Sequence, residues 1–496
     1  MIFTHIPQHL HSAPPLAWLA LAHIVIVIFF GLRLLSTPKS PGVVLAWMLV
    51  IAALPFIGAL LYILIGERSV GRDLSKKIVH INDGYGKIAS SLQKQFIATR
   101  ESLCPESQAL SLLAESRNGS PVIGGNKIEL HTESLKILQL LIDEINQAKK
   151  SLHLEFYIWA LGGDADRVGE ALIAASKRGI SCLVLLDAFG SNDWFKSEWP
   201  SRFKEAGIQV TKALPIQFGR FQFRRVDLRL HRKILVIDGT IAWTGSMNLV
   251  DPRLFKRDAG VGQWVDAMVR IEGPVVRQFD LTFSVDWSVG NSSIKNFKDF
   301  SDPRNDSPNS DNQGPILAQE FSSGPVYRDN VLYQTLLSAI MNAREELIIT
   351  TPYFGPDVGL FQALMGAARK GVKVTLIIPK LNDSTLVAWS SKSYYSSLMN
   401  SGVRIAEFHG GLLHTKCMLI DNNATIFGSV NFDQRSLRLN FEISLIVYNK
   451  DFASQIQTLI NSYLSQSNFV NPNEWAKRAC WRRYLENAAQ MTSPIL

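Results

Sequence analysis

Two stretches of the chain, HRKILVIDGTIAWTGSMN (231–248) and HTKCMLIDNNATIFGSVN (414–431), repeat one set of polar residues inside otherwise apolar text. They share His231/His414, Lys233/Lys416, Ile237/Ile420, Asp238/Asp421, Gly245/Gly428, Ser246/Ser429 and Asn248/Asn431. Each copy offers an imidazole, an ammonium, a hydroxyl and an amide, a combination that binds phosphate and can attack it. Strand packing and turn geometry do not require a His and a Lys on one face. Their repetition therefore points to chemistry, with both copies contributing.

The surrounding pattern says what must position these groups. Side chains alternate along a strand, so His231, Lys233 and Leu235 project to one side and Arg232, Ile234 and Val236 to the other. Asp238 ends the strand, and GTIAWTGSMN reads as a turn and second strand returning Ser246 and Asn248 beside the first pair. Upstream, ESLKILQLLIDEINQAKK reads as a helix, SLHLEFYIW as a strand, ALIAASKRG as a helix end and ISCLVLLD as a strand. The same series recurs as VLYQTLLSAIMNAREE, LIITTPYF, LFQALMGAARKG and VKVTLIIP before the second motif. Duplicated α/β alternation predicts mixed or parallel sheets covered by helices. Between the two series, KDFSDPRNDSPNSDNQGP (298–315) is too polar to feed a core and reads as a linker.

The first 66 residues are different material. Leu16–Leu32 and Pro41–Gly66 carry no charge, and each is long enough for a helix crossing a hydrocarbon core of roughly 30 Å. With the short RLLSTPKS between them they predict a transmembrane helical hairpin. Arg68, Arg72, Lys76 and Lys77 follow the second stretch, against Arg33 and Lys39 in the link, which predicts a cytoplasmic body. The expected organisation is 1–66 hairpin, 67–120 connector, 121–297 first lobe, 298–315 linker and 316–496 second lobe. A formal charge of +8 favours anionic partners. Cys104, Cys182, Cys417 and Cys480 lack metal-ligand spacing and are expected as free thiols.

Both copies match the H-x-K-x4-D and G-S-x-N signatures in full, and from about residue 121 onward the chain resembles the phospholipase D superfamily. With the two apolar stretches, PFIGALLYILIGE, RVDLRLHRK and NFDQRSLRLNFE, it is most similar to bacterial cardiolipin synthases of the two-span type. The resemblance implies two tandem α/β sandwich lobes related by a pseudo-twofold axis, with the motifs face to face. It implies a phosphohistidine intermediate, with His231 as nucleophile and His414 as acid and then base, although the residues alone leave the two interchangeable. Lys233, Lys416, Asn248 and Asn431, with Ser246 and Ser429 as weaker contacts, would cradle phosphate oxygens. Asp266 in QWVDAMV and Glu442 in NFEISLI match the acids that orient the histidines. Asp238 and Asp421 complete the motif and suit an architectural role. No metal and no cofactor is expected, since no carboxylate cluster adjoins the motifs.

The same resemblance implies phosphatidylglycerol and anionic membrane lipid as partners, cardiolipin and glycerol as products, and a multi-pass place in the bacterial inner membrane, with no nucleic acid. A phospholipase D or phosphatidylserine synthase shares both motifs and differs in acceptor. A superfamily nuclease fits the hairpin poorly, and a scaffold with a retired site fits two complete motifs poorly. Phe218, Phe221 and Phe223 interleave with Arg220, Arg224 and Arg225 before the first motif, a mixture suited to an anionic bilayer surface.

Overall fold

The computed structural model describes residues 15–36, 41–66, 97–98, 100–118, 120–214, 227–290, 314–326 and 330–491. The basic flank at Arg68, Arg72, Lys76 and Lys77, the aromatic and basic stretch 218–225, and residues 298–313 of the linker lie outside them.

In the N-terminal unit, Pro15–Leu35 is one apolar helix long enough to cross a membrane. The second apolar stretch, expected as a single span, is broken. It forms Pro41–Ala53, then Ile57–Leu61, running into a π-helical turn Tyr62–Gly66. The 13-residue first piece rises about 20 Å, short of a full crossing. The cause is local: Pro55 has no N–H and disfavours helical backbone at Leu54, and Phe56 takes a left-handed φ of 62°. The break interrupts the regular helical pairing, and the Ala52 carbonyl lies 3.1 Å from His23 Nε2. His23 is thus a helix contact. Tyr62 packs edge-on against Phe30 and Trp47.

The larger body contains two matching sheets. The first runs Lys127–His131, Met268–Glu272, Ile241–Gly245, Lys233–Ile237, Ser151–Phe156, Ser181–Asp187, Gln209–Ala213. The second runs Gly314–Ser323, Asn440–Tyr448, Ala424–Gly428, Cys417–Ile420, Glu346–Thr350, Lys373–Pro379, Arg404–Phe408, in corresponding order. In each, the strand before the motif and the next pair in parallel, while the motif hairpin is antiparallel. The sheets are therefore mixed.

One shared core joins the sheets, with Ile234, Val236 and Val269 of the first meeting Ile348, Leu419 and Leu445 of the second. The opposite parity, Leu235 and Ile237, packs under Ser134–Gln147 and Asp164–Lys177. Arg232 follows the inward parity, pairing with Asp286 and donating to the backbone carbonyls of Glu442 and Ser323. Residues 105–118, read as connector, form a helix whose Leu110 and Ala114 join the second lobe's outer core. Ile123–Gly125 pairs with Gly314–Ser323, adding a strand to the second sheet. All four cysteines are free thiols.

Candidate active site

Each motif histidine sits just before its strand, and a short crossing ladder fixes it to the other lobe. Arg229–Leu230 pairs in parallel with Asn440–Phe441, and Leu412–Leu413 with Trp264–Val265. The ladder continues one step further. His231 N–H donates to the Phe441 carbonyl at 2.9 Å, and His414 N–H to the Val265 carbonyl at 2.8 Å. Because Glu442 and Asp266 are the next residues along those strands, each lands beside the histidine of the opposite repeat.

The acid–histidine pairs are accordingly crossed. His231 Nδ1 lies 2.8 Å from Glu442 Oε2, and His414 Nδ1 lies 2.6 Å from Asp266 Oδ1. With the carboxylates ionised, Nδ1 carries a proton toward the acid and Nε2 is left for chemistry. Ser429 Oγ donates to Glu442 at 2.5 Å and Ser246 Oγ to Asp266 at 2.6 Å. Each hydroxyl also accepts a backbone N–H, from Ile443 and Ala267 respectively. Both serines, expected as weaker phosphate contacts, are therefore committed to holding the acids. The preceding glycines permit this approach: a Cβ on Gly428 would lie 2.3 Å from the Ile443 carbonyl, and one on Gly245 2.5 Å from that of Ala267.

Lys233 and Lys416 are buried, each donating to the carbonyl of its own motif histidine at 2.6 Å. Asn248 and Asn431 line the same cavity as both histidines. Asn248 accepts the Ile158 N–H through Oδ1, whereas Asn431 Oδ1 is buried without a hydrogen-bond partner. Asp238 and Asp421 bind backbone and do not line the cavity. Both adopt left-handed φ and cap the start of a neighbouring strand, accepting backbone N–H groups of 149–151 and 344–346.

The cavity measures about 240 Å³ and is lined from both lobes. Its wall includes residues that no motif marks: Tyr157, whose ring stands 4.9 Å from that of His231, and Trp264, 4.3 Å from that of His414. Arg229, Lys256, Tyr353, Asp383, Asp433 and Asn440, with Ser384 and Ser390, add polar lining that no motif marks. Arg435 also lines it, while Arg438 turns away to Asp357 at 2.5 Å.

Electrostatics follow from burial. Desolvation, partly offset by Glu442 and reinforced by Lys233, pushes His231 down to about 4, and His414 falls to about 4 in the corresponding field of Asp266 and Lys416. Burial lowers Lys233 to about 8 and takes Lys416 well below its ordinary value. Against the upward push of burial, His231 and Lys233 hold the Glu442 carboxyl below its usual range, and His414 and Lys416 do so for Asp266. A phosphodiester anion between these groups draws the bases back toward their charged forms.

Acid sensitivity follows. From pH 6.5 down to about 4 the unfolded chain binds protons that the folded imidazoles refuse. Stability therefore falls as pH falls through that window, by about 3 kcal/mol per imidazole at its foot. The two lowered carboxyls act in the same direction further down. Thermal midpoints in detergent at pH 7 and pH 4.5 should show a drop that the double variant His231→Gln/His414→Gln flattens.

Two histidines and two asparagines lining one cavity, each histidine backed by a buried acid and a buried lysine behind the wall, define a phosphoryl-transfer enzyme of the phospholipase D-like class. The family model described as "Cardiolipin synthase, PLD-like domain" matches residues 141–287 and 336–464, and one described as "Phospholipase_D-nuclease N-terminal" matches 16–67. The chain is 39% identical over 481 residues to Cardiolipin synthase A of Shigella dysenteriae serotype 1, covering 97% of this chain and 98% of that protein. Identity and coverage are the same for Cardiolipin synthase A of Escherichia coli strain K12 / DH10B. Among solved structures, phosphatidylserine synthase of Haemophilus influenzae Rd KW20 shares the fold, with a TM-score of 0.59 at 15% identity over 78% of this chain and all of that one. The chain belongs to the cardiolipin synthase family.

Proposed function

We propose that this protein transfers a phosphatidyl group from one phosphatidylglycerol to another through a phosphohistidine, giving cardiolipin and glycerol. The observation that carries the reading is the pair of crossed histidine–acid contacts bordering one cavity. His231 Nε2 attacks phosphorus, and the P–O bond to the departing glycerol breaks as His414 Nε2 gives that oxygen a proton. His414 then takes the proton of the second lipid's glycerol hydroxyl, whose oxygen attacks phosphorus and releases His231. Lys233, Lys416, Asn248 and Asn431 stabilise the charge that builds on the equatorial oxygens.

One imidazole must start neutral and the other protonated. Burial keeps both neutral in the free protein, so binding of the phosphate anion is accompanied by uptake of one proton from solvent onto His414. We further propose a multi-pass protein of the bacterial inner membrane with a cytoplasmic body, supported by the apolar N-terminal stretches and the basic residues that follow them.

Incubating sealed inside-out vesicles that contain the protein with labelled phosphatidylglycerol tests both. Cardiolipin and free glycerol should appear in equal amounts, and protease added outside should abolish turnover. Phosphatidic acid alone would make the protein a hydrolase, and turnover that resists the protease would reverse the orientation.

A further inference from the structure

Chemistry at a phosphorus flanked by two equivalent histidines is symmetric, yet the cavity wall is not. Between the matching strands Ser181–Asp187 and Gln209–Ala213, the first lobe turns Trp194, Trp199 and Phe203 into its own core around Trp159. At the corresponding place the second lobe has the helix Thr385–Ser393. Asp383, Ser384, Val387 and Ser390 line the cavity there, at the three- and four-residue spacing of one helical face. An asymmetric wall around two equivalent histidines serves what differs between their sides: one histidine takes the phosphatidyl group, and the other faces first the alcohol that leaves and then the alcohol that enters.

Polar atoms on this wall lack protein partners. Ser390 Oγ is buried without a hydrogen bond, and so is Trp264 Nε1, whose ring lies against His414. A buried polar group left unpaired is costly, so a ligand that reaches either one is favoured. On the same wall, Asp383 receives Lys256 Nζ at 2.7 Å and Tyr353 Oη at 3.0 Å, joining the lobes across the cavity. Indole N–H only donates, a carboxylate only accepts and a serine does both. That set complements a small polyol, whose every hydroxyl donates and accepts.

We propose that Trp264, Asp383 and Ser390 form a polyol subsite that holds the glycerol of phosphatidylglycerol beside His414, first as leaving group and then as attacking alcohol. This rests on the histidine roles given above. Occupancy by a lipid-borne glycerol also displaces water from the base, so the subsite sets the partition between transfer and hydrolysis.

The partition ratio tests it, because the split of a phosphohistidine between lipid alcohol and water does not depend on how fast it formed. In vesicles of phosphatidylglycerol, Ser390→Ala and Trp264→Phe are each expected to lower the ratio of cardiolipin to phosphatidic acid about five- to tenfold, the worth of one hydrogen bond. Ser390→Ala should keep its thermal midpoint, since its hydroxyl has no partner to lose. The apparent KM for labelled glycerol exchanging into phosphatidylglycerol should rise by the same factor. An unchanged ratio and KM in both variants, at whatever total rate, overturns the subsite. Unmodified protein that makes phosphatidic acid alone overturns instead the transfer reading beneath it.

Discussion

Replacing His231 by glutamine is expected to lower cardiolipin formation about a thousandfold or more, and His414→Gln to do the same. The two losses should differ in kind. A phosphatidyl ester of p-nitrophenol has a leaving group that needs no proton, so an acid is dispensable for its departure. His414→Gln should therefore still release one equivalent of nitrophenol in a burst and accumulate an acid-labile phosphoramidate on His231. His231→Gln should release none. The opposite pattern would exchange the two roles, and bursts in both variants would show that either histidine can attack and that the roles are not fixed.

The second large effect comes from the crossed acids. Glu442→Gln is expected to slow turnover by about two to four orders of magnitude, as neutralising a histidine-orienting acid does elsewhere by stabilising the wrong tautomer. Its carboxylate touches His231 and the Ser429 hydroxyl. The nitrophenol burst should accordingly vanish in Glu442→Gln and survive in Asp266→Asn, whose acid serves His414. Glu442→Asp should recover part of the burst. Equal bursts in the two amide variants would show that the acids do not act through the histidines they contact.

These expectations separate what was legible in the sequence from what was not. Duplicated motifs announced two imidazoles, and the repeated order of helices and strands announced two like lobes, because period and β-branched runs are local signals. The place of Asp238 and Asp421 was also readable, since both end a strand before a turn. Partner choice was not. Glu442 is 211 residues from His231, and Asp266 is 148 from His414. Ser246 and Ser429 read as phosphate contacts because a hydroxyl beside an asparagine suits an oxyanion, and only packing shows those hydroxyls turned onto carboxylates. In the second apolar stretch, composition signalled a span while Pro55 carried the break.

Residue types read along the chain announce the chemistry: which functional groups exist, that they come twice, and that apolar N-terminal segments accompany them. Packing of distant strands set the pairing, through ladders that place His231 against Phe441 and His414 against Val265, and it set the cavity wall, to which Trp264 and Ser390 come from different lobes. The physical reason is range. Residue type and spacing fix what a side chain can do and which face of its own element it occupies, whereas hydrogen bonds between strands far apart in the chain fix what it faces.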